Sequence, residues 1–325
     1  MSSRGELGSV SWHFNKQSEV AVGKPFGGRQ IELIGVRFDG MGRIGGQARA
    51  PSALRAAGLC AAVGENATMG ADVLVSEPRA ERAAASGLLN EAALLEMIAA
   101  VQARVGASLV ADRFPLVYGG DCAVLLATVP ALRTVVGEAG LVFLDGHEDA
   151  TSMEASLSGE AANMEIALLL GHTGERAPRA VRAQLPALSA DGLAMLGQRD
   201  DAFRRVLDVP TLADRVWLRT PDEVSPDPAG VALAAVAHVA SSSSGWWLHT
   251  DLDVLAGSEF TACGAPGEVA LPGGLTWQQL TDVGSAAVRA DGCRGWSIAI
   301  YNPDLDPGGR AAARIVALVT EIAHH

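Results

Sequence analysis

Short unbroken apolar runs alternate along the chain with longer segments whose apolar residues recur at helical spacing. The runs IELIGVRF (31–38), ADVLVSEP (71–78), FPLVYGG (114–120), GLVFLDGH (140–147), GLAMLGQRD (192–200), RVWLRTPDEV (215–224), GWWLHTDLDV (245–254) and GWSIAIYNP (295–303) have strand length. Gly, Asp or Pro punctuates their ends, as in strands buried on both faces. Between them, PSALRAAGL (51–59), NEAALLEMIAAVQARVG (90–106), AVLLATVPALRTVV (123–136), AGVALAAVAHVA (229–240), TWQQLTDVGSAAVRA (276–290) and GRAAARIVALVTEIA (309–323) predict helices. Such alternation predicts an α/β protein with a mostly parallel central sheet of about eight strands, covered by helices on both sides. A doubly wound domain fits the length, and a (β/α)₈ barrel is its rival. Residues 1–30 are polar, lack a period and read as an N-terminal extension, leaving 31–325 as a single domain. Two segments break the alternation: SSSSG (241–245), a polar turn, and a Gly/Pro-rich stretch at 256–276. Loops as long as the second are usually functional.

Composition narrows the class. At 49% hydrophobic and 19% charged, the 325-residue chain is too apolar to be disordered. Asp and Glu total 37 against 25 Lys and Arg, a net charge of −12, and no basic tract stands out. Nucleic acid is therefore not an expected partner. The four cysteines (Cys60, Cys122, Cys263, Cys293) form no CxxC pair. That fits a reducing cytoplasm better than a disulfide scaffold. The first residues lack an apolar signal core, and no apolar run approaches the ~18 residues of a membrane span, so no membrane association is expected.

Ligands in parallel sheets bind outside the carboxyl ends of strands, which makes the run endings informative. FPLVYGG ends in Asp121-Cys122, and GLVFL in Asp145-Gly146-His147-Glu148-Asp149. GWWLHT ends in Asp251-Leu252-Asp253, and GWSIAIYNP in Asp304-Leu305-Asp306. On an extended segment, Asp145, His147 and Asp149 would share one face, as would Asp251 and Asp253. Four carboxylates gathered without a counter-charge repel one another and resist burial. No Arg or Lys accompanies these motifs. A pair of divalent metals resolves the conflict, and a water between them becomes a nucleophile near neutral pH. Asp and His ligands suit Mn, Zn or Fe.

The motifs YGGDC (118–122), DGHED (145–149) and DLD (251–253) resemble, in order, the Gly-Gly-Asp-His, Asp-x-His-x-Asp and Asp-x-Asp signatures of the ureohydrolase family. That family includes arginase, agmatinase and formiminoglutamase. GGQARAPSALRAAGL (45–59), LPGGLTWQQL (271–280) and IYNP (300–303) resemble its flanking segments. The resemblance implies a three-layer α/β/α fold, an eight-stranded parallel sheet, two divalent metal ions (manganese first), and a homo-oligomer, trimer or hexamer. It implies that Asp145 and Asp251 bridge the metals, that Asp149 binds the first, and that His147 and Asp253 bind the second. Cys122 would sit where the family places a histidine on the first metal, with Asp121 supporting it.

Three departures from the family pattern bear on function. A thiolate at Cys122 would add negative charge and shift preference toward Zn or Fe. Ala162 stands near the family's proton-shuttling histidine, so acid–base work falls to Asp149, Glu154 or Glu160. Ile300 replaces the acid that pairs with guanidinium, which removes a charge-assisted contact and makes arginine or agmatine a doubtful substrate. Asp304 and Asp306 lie just beyond as substitutes or turn residues. Thr151 and Ser158 fall where the family contacts a substrate carboxylate. His249 would face the ligands from two residues before Asp251, as a supporting group or a core histidine. The resulting expectation is hydrolysis of a C–N bond in a small nitrogenous amidine-, guanidine- or amide-like substrate by a metal-bound hydroxide. The alternatives are a catalytically degenerate, metal-stabilised binding or assembly subunit, and a zinc-dependent amide hydrolase.

Overall fold

The computed structural model describes residues 23–264 and 271–324. Among the described residues nine strands form one sheet: β1 (Ile31–Arg37), β2 (Ala67–Met69), β3 (Val73–Leu74), β4 (Phe114–Tyr118), β5 (Ala139–Leu144), β6 (Leu193–Leu196), β7 (Trp217–Arg219), β8 (Gly245–Asp251) and β9 (Cys293–Ala299). Their order is β2-β1-β4-β9-β8-β5-β6-β7, with β3 also pairing with β1. Every ladder is parallel. The sheet is open, ending at β2 and β7, so the barrel alternative is ruled out.

Both faces of the sheet are covered, as a parallel sheet requires. Successive side chains along a strand enter opposite cores. In β5, Val142 and Leu144 join the core under the helices Ala50–Ala56, Pro228–Ala240, Trp277–Arg289 and Arg310–His324. Leu141 and Phe143 join the core under Glu91–Val110 and Leu125–Val136. Trp246 and Trp247 divide in the same way and are both fully buried, as packing residues.

The helix Glu91–Val110, with mean hydropathy 1.5, is long and apolar enough to cross a membrane by length and composition, contrary to the sequence expectation. Its apolar side, including Leu94, Met97, Val101 and Val105, is buried in the second core, so its composition is that of a core helix. The run at 71–78 forms strand only at Val73–Leu74, and β2 just before it was not anticipated. The run at 215–224 is strand at Trp217–Arg219 and then a helical turn, Pro221–Val224, closed by a capping box between Thr220 and Glu223.

Of the expected N-terminal extension, residues 1–22 lie outside the described residues. Phe26 is buried against Phe114, ring centroids 4.8 Å apart. The long loop after β8 is tied at its base by Ala256 N–H to Leu275 O and Leu275 N–H to Val254 O, both 2.9 Å. The connection from β4 to β5 passes over β9 and β8. The four strands at this reversal of order (β4, β9, β8 and β5) open their carboxyl ends onto one crevice.

Candidate metal centre

Each of three strand ends places ligand-type side chains by a different local device. After β4, Gly119 and Gly120 turn the chain at φ +85° and +73°. A side chain on Gly119 would meet Pro51 at 2.7 Å, so glycine serves both the backbone conformation and the close approach. Asp121 then caps the turn into the next helix, Oδ1 accepting from Ala123 N–H at 3.1 Å. Its Oδ2 accepts from Gly40 N–H at 2.8 Å, which fixes the loop after β1 to this turn. Burial, with Asp39 nearby, pushes the Asp121 carboxyl up to about 7. The next residue, Cys122, is buried with Sγ 2.8 Å from Asp251 Oδ2 and 4.0 Å from Asp145 Oδ2.

After β5 the chain is not extended. The Asp145 Oδ1 accepts from His147 N–H at 2.6 Å in a tight turn, and Asp149 has φ +44°. After β8 the backbone enters a short 3₁₀ turn, Leu252–Val254, with Asp253 N–H bonded to Asp251 Oδ1 at 2.7 Å. Asp253 Oδ1 accepts from Gly146 N–H at 2.8 Å, which laces the two strand ends together. The carboxylates therefore converge through carboxylate-closed turns; the expected alternation along extended strands is not the cause.

Among the described residues, Asp145, His147 and Asp253 form one ligand group and Cys122, Asp149 and Glu165 an adjacent one, and a third, Cys122, Asp145 and His249, overlaps both; within each, the ligand atoms lie within 4.8 Å of one another. Asp145 turns Oδ1 toward His147 Nδ1 (3.6 Å) and Oδ2 toward Cys122, so one carboxylate spans both groups. His147 Nδ1 also lies 2.8 Å from Asp253 Oδ2. Among the described residues, no lysine or arginine forms an ion pair with Asp145, Asp149, Asp251 or Asp253. Arg199 lies nearby, its two terminal nitrogens bonded to the carbonyls of Asp253, Val254 and Leu255, and its charge helps hold the Asp253 carboxyl low.

The electrostatics follow from that geometry. Burial first, then the neighbouring carboxylates, carry Asp145 and Asp251 well above the usual carboxylate range. Burial and the Glu165 charge do the same to Asp149. Burial alone would lower His147, yet Asp253 and Asp145 hold it well above its ordinary value. Asp253 is opposed by burial but held low by His147. Cations are the natural remedy for such a cluster, and the oxygen-rich donor set with one imidazole and one thiol fits divalent transition metals.

A buried chain of hydrogen bonds supports Cys122. Trp247 Nε1–H donates to Ser297 Oγ at 2.9 Å, Ser297 Oγ lies 2.7 Å from His249 Nδ1, and His249 Nε2 lies 3.2 Å from Cys122 Sγ. One polarity satisfies every group: Ser297 O–H to Nδ1, Nε2–H to sulfur, and S–H to Asp251. It requires a neutral imidazole and a neutral thiol. Burial pushes His249 down to about 3 and the Cys122 thiol well up, both in that direction. His249 is thus a supporting group behind Cys122, stacked on Phe143 with centroids 5.5 Å apart.

The remaining sequence candidates divide. Glu160 is half-buried and close enough to Asp121 to raise its pKa. Glu154 is exposed and accepts from Thr173 Oγ1 at 3.1 Å. Thr151 is buried, its N–H bonded to Asn163 O. Ser158 Oγ accepts from Glu160 N–H and Asn163 Nδ2, which orders the same loop. Asp304 and Asp306 do not join the cluster. Asp304 holds Gly46 N–H and Arg49, and Asp306 holds Tyr301 O–H and Ala312 N–H. Ile300 is buried at φ +65°, an unusual conformation for a β-branched residue. Glu165, fully buried at the start of the helix Glu165–Leu169, was missed in the sequence. Its signal was an acid heading a wholly apolar run, MEIALLLG.

An open parallel α/β sheet with carboxylates, a histidine and a thiol converging at its strand ends is the class of scaffold, and comparison with known proteins specifies the family. The arginase family profile matches residues 29–324; the chain belongs to the arginase family. It is 28% identical over 303 residues to an arginase of Brevibacillus brevis, covering 90% of this chain and 97% of that protein. The arginase structure from Bacillus caldovelox superposes with a TM-score of 0.78 at 24% identity, covering 91% and 99% of the two chains. Formimidoylglutamase of Bacillus subtilis gives 0.67 at 18% identity over 98% and 95%.

Proposed function

We propose that this arginase-family protein is a metal-dependent hydrolase of a C–N bond in a small amidine- or amide-type molecule other than arginine or agmatine. The observation that carries the reading is the convergence of the buried Asp145 and Asp251 with the partly buried Asp149, Asp253 and His147, without an ion-paired lysine or arginine among the described residues. Asp145 and Asp251 are proposed to bridge two divalent ions, manganese first. Asp149, with Cys122 beside it, would hold one ion, and His147 with Asp253 the other. Two such ions supply Lewis acidity and an ionised water at neutral pH.

The protein's own groups do the rest. His147 and Asp253 retain 32% and 20% side-chain exposure and form the open side of the centre. The ring of Phe203 lies edge-on to His147 at 6.1 Å and lines that approach. Glu160 is placed to take up or deliver a proton beside Asp121, a better position than the exposed Glu154. The Ser158 hydroxyl, which accepts two bonds, keeps its O–H for a substrate oxygen, and Thr151 steadies the same loop. The apolar Ile300, together with the prior engagement of Asp304 and Asp306, leaves no free anion at the late turn for a guanidinium. That supports a neutral or differently charged substrate.

Cys60, Cys122 and Cys293, which form no disulfide, support a cytoplasmic location. A homo-oligomer, trimer or hexamer, is proposed from the family resemblance, to be read by light scattering on a sizing column. A second reading, a metal-stabilised binding subunit without turnover, draws support from Cys122 and Ala162 together. A panel of guanidino, formimino, hydroxyguanidino and acylated-amine compounds, followed by ammonia or urea release from the Mn-loaded protein, separates the two. Release from a non-arginine member supports the hydrolase. No release from any member by metal-loaded protein supports the binding subunit.

A further inference from the structure

Glu165 has no explanation in the bonds around it. It is fully buried, and among the described residues no N–H or hydroxyl of another residue reaches its carboxylate oxygens, which face the carboxyl of Asp149 instead. The group it faces is the Asp149 carboxyl, within 4.8 Å of which Cys122 Sγ also lies. The placement is fixed by the backbone, because Ile166 N–H bonds Asp149 O at 3.2 Å and holds the first turn of the helix against Asp149. Two carboxyls buried side by side are costly unless a shared proton or a cation lies between them. Loss of an interaction at the helix start would not explain why an acid rather than an apolar residue heads this otherwise apolar segment.

We infer that Glu165 is a ligand of the first metal ion, supplying from the short helix after the DGHED turn the donor that the thiol at Cys122 does not. The inference rests on the two-ion reading of the centre and adds a residue that reading does not contain. Its consequence is electrostatic. Asp145, Asp149, Asp251, Asp253 and Glu165 carry five negative charges against four on two divalent ions, so the centre is already anionic with Cys122 as a thiol. The first ion then sees mainly carboxylate oxygen, which favours manganese over softer metals. The thiol keeps its proton, shared along the chain to Asp251 and His249.

The test compares wild-type protein with E165Q, which preserves shape, and E165L, which fills the space without donors. Bound manganese is counted by mass spectrometry after dialysis, affinities are measured by titration calorimetry, and the coupled two-ion signal is read by electron paramagnetic resonance. Circular dichroism checks that each variant is folded. Wild type is expected to hold two ions per chain. Both variants should hold one, with the weaker site's affinity reduced roughly a hundredfold or more, at the upper end of losses at supporting positions, and a mononuclear signal. Two ions at unchanged affinity in folded E165Q and E165L would overturn the Glu165 assignment and leave the hydrolase reading standing. A wild-type chain that takes up no manganese, zinc or iron would overturn both.

Discussion

Replacing Ser297 by alanine tests the buried chain that positions Cys122. Ser297, Trp247 and His249 are each fully buried. The hydroxyl accepts from Trp247 Nε1–H at 2.9 Å and meets His249 Nδ1 at 2.7 Å. Ser297→Ala removes one oxygen and strands two polar atoms where water does not reach. Leaving a buried polar group unsatisfied costs about 1–3 kcal/mol, so the expected loss is about 2–6 kcal/mol. At about 1.5 °C per kcal/mol for a chain of this size, Tm should fall by at least about 3 °C. Urea and thermal unfolding of the metal-free protein measure the loss. In a Trp247→Phe background one of the two stranded atoms is already gone, so the same substitution should cost about half as much. A loss under about 1 kcal/mol, or an identical loss in both backgrounds, would refute the reasoning.

Arg204 bridges two buried acids, Glu148 and Asp200, at 3.0 Å each. Arg204→Met should cost about 3–5 kcal/mol by stranding them, and urea unfolding with Glu148→Gln added should recover part of that. Gly119→Ala should destabilise by at least about 1 kcal/mol and lower bound metal, because φ is +85° and Pro51 stands 2.7 Å from the new atom; an unchanged Tm contradicts this. The metal-free protein should lose stability as pH rises. Asp145, Asp149, Asp251 and Glu165 have raised pKa values in the fold, so above about pH 4 the unfolded chain releases protons that the fold retains. His147, also raised, adds stability that is present below about pH 6.5 and lost as pH climbs through its folded value. Asp253, held low, works oppositely only at acid pH, and His249, held at about 3, works oppositely up to about pH 6.5, one group against the four carboxyls and His147. Thermal melts from pH 5 to 8 should therefore fall without metal, and the manganese-induced rise in Tm should grow; a metal-free Tm that climbs across that range refutes this.

The interior of the sheet was legible because strands buried on both faces must be apolar throughout. β4, β5, β8 and β9 are such strands, and they carry the site. β3 and β7 lie inside apolar runs that were legible but form strand over only two and three residues, and β2, a three-residue piece with no buried position, left no run to read. The helical turns Arg179–Arg182 and Asp201–Val206 bury little and left no period.

At the site, residue types and order were legible but the cause of their convergence was not. Asp145 and Asp251 close turns on their own downstream N–H groups, and no side-chain alternation announces a turn of that kind. Glu165 left no clear signal because an acid at the first position of a short helix reads like an ordinary first-turn acid. Asp304 and Asp306 show the converse: acids at a strand end that serve backbone N–H groups, an arginine and a tyrosine.

The central claim is that two divalent ions sit between the carboxyl ends of β4, β5 and β8, bridged by Asp145 and Asp251. Crystals of manganese-loaded protein measured above and below the manganese absorption edge test it directly. The account predicts two anomalous peaks per chain, about 3.5–4 Å apart, one beside Asp149 and Glu165 and the other beside His147 and Asp253. Crystals grown with saturating manganese that show no peak among these carboxylates would contradict it.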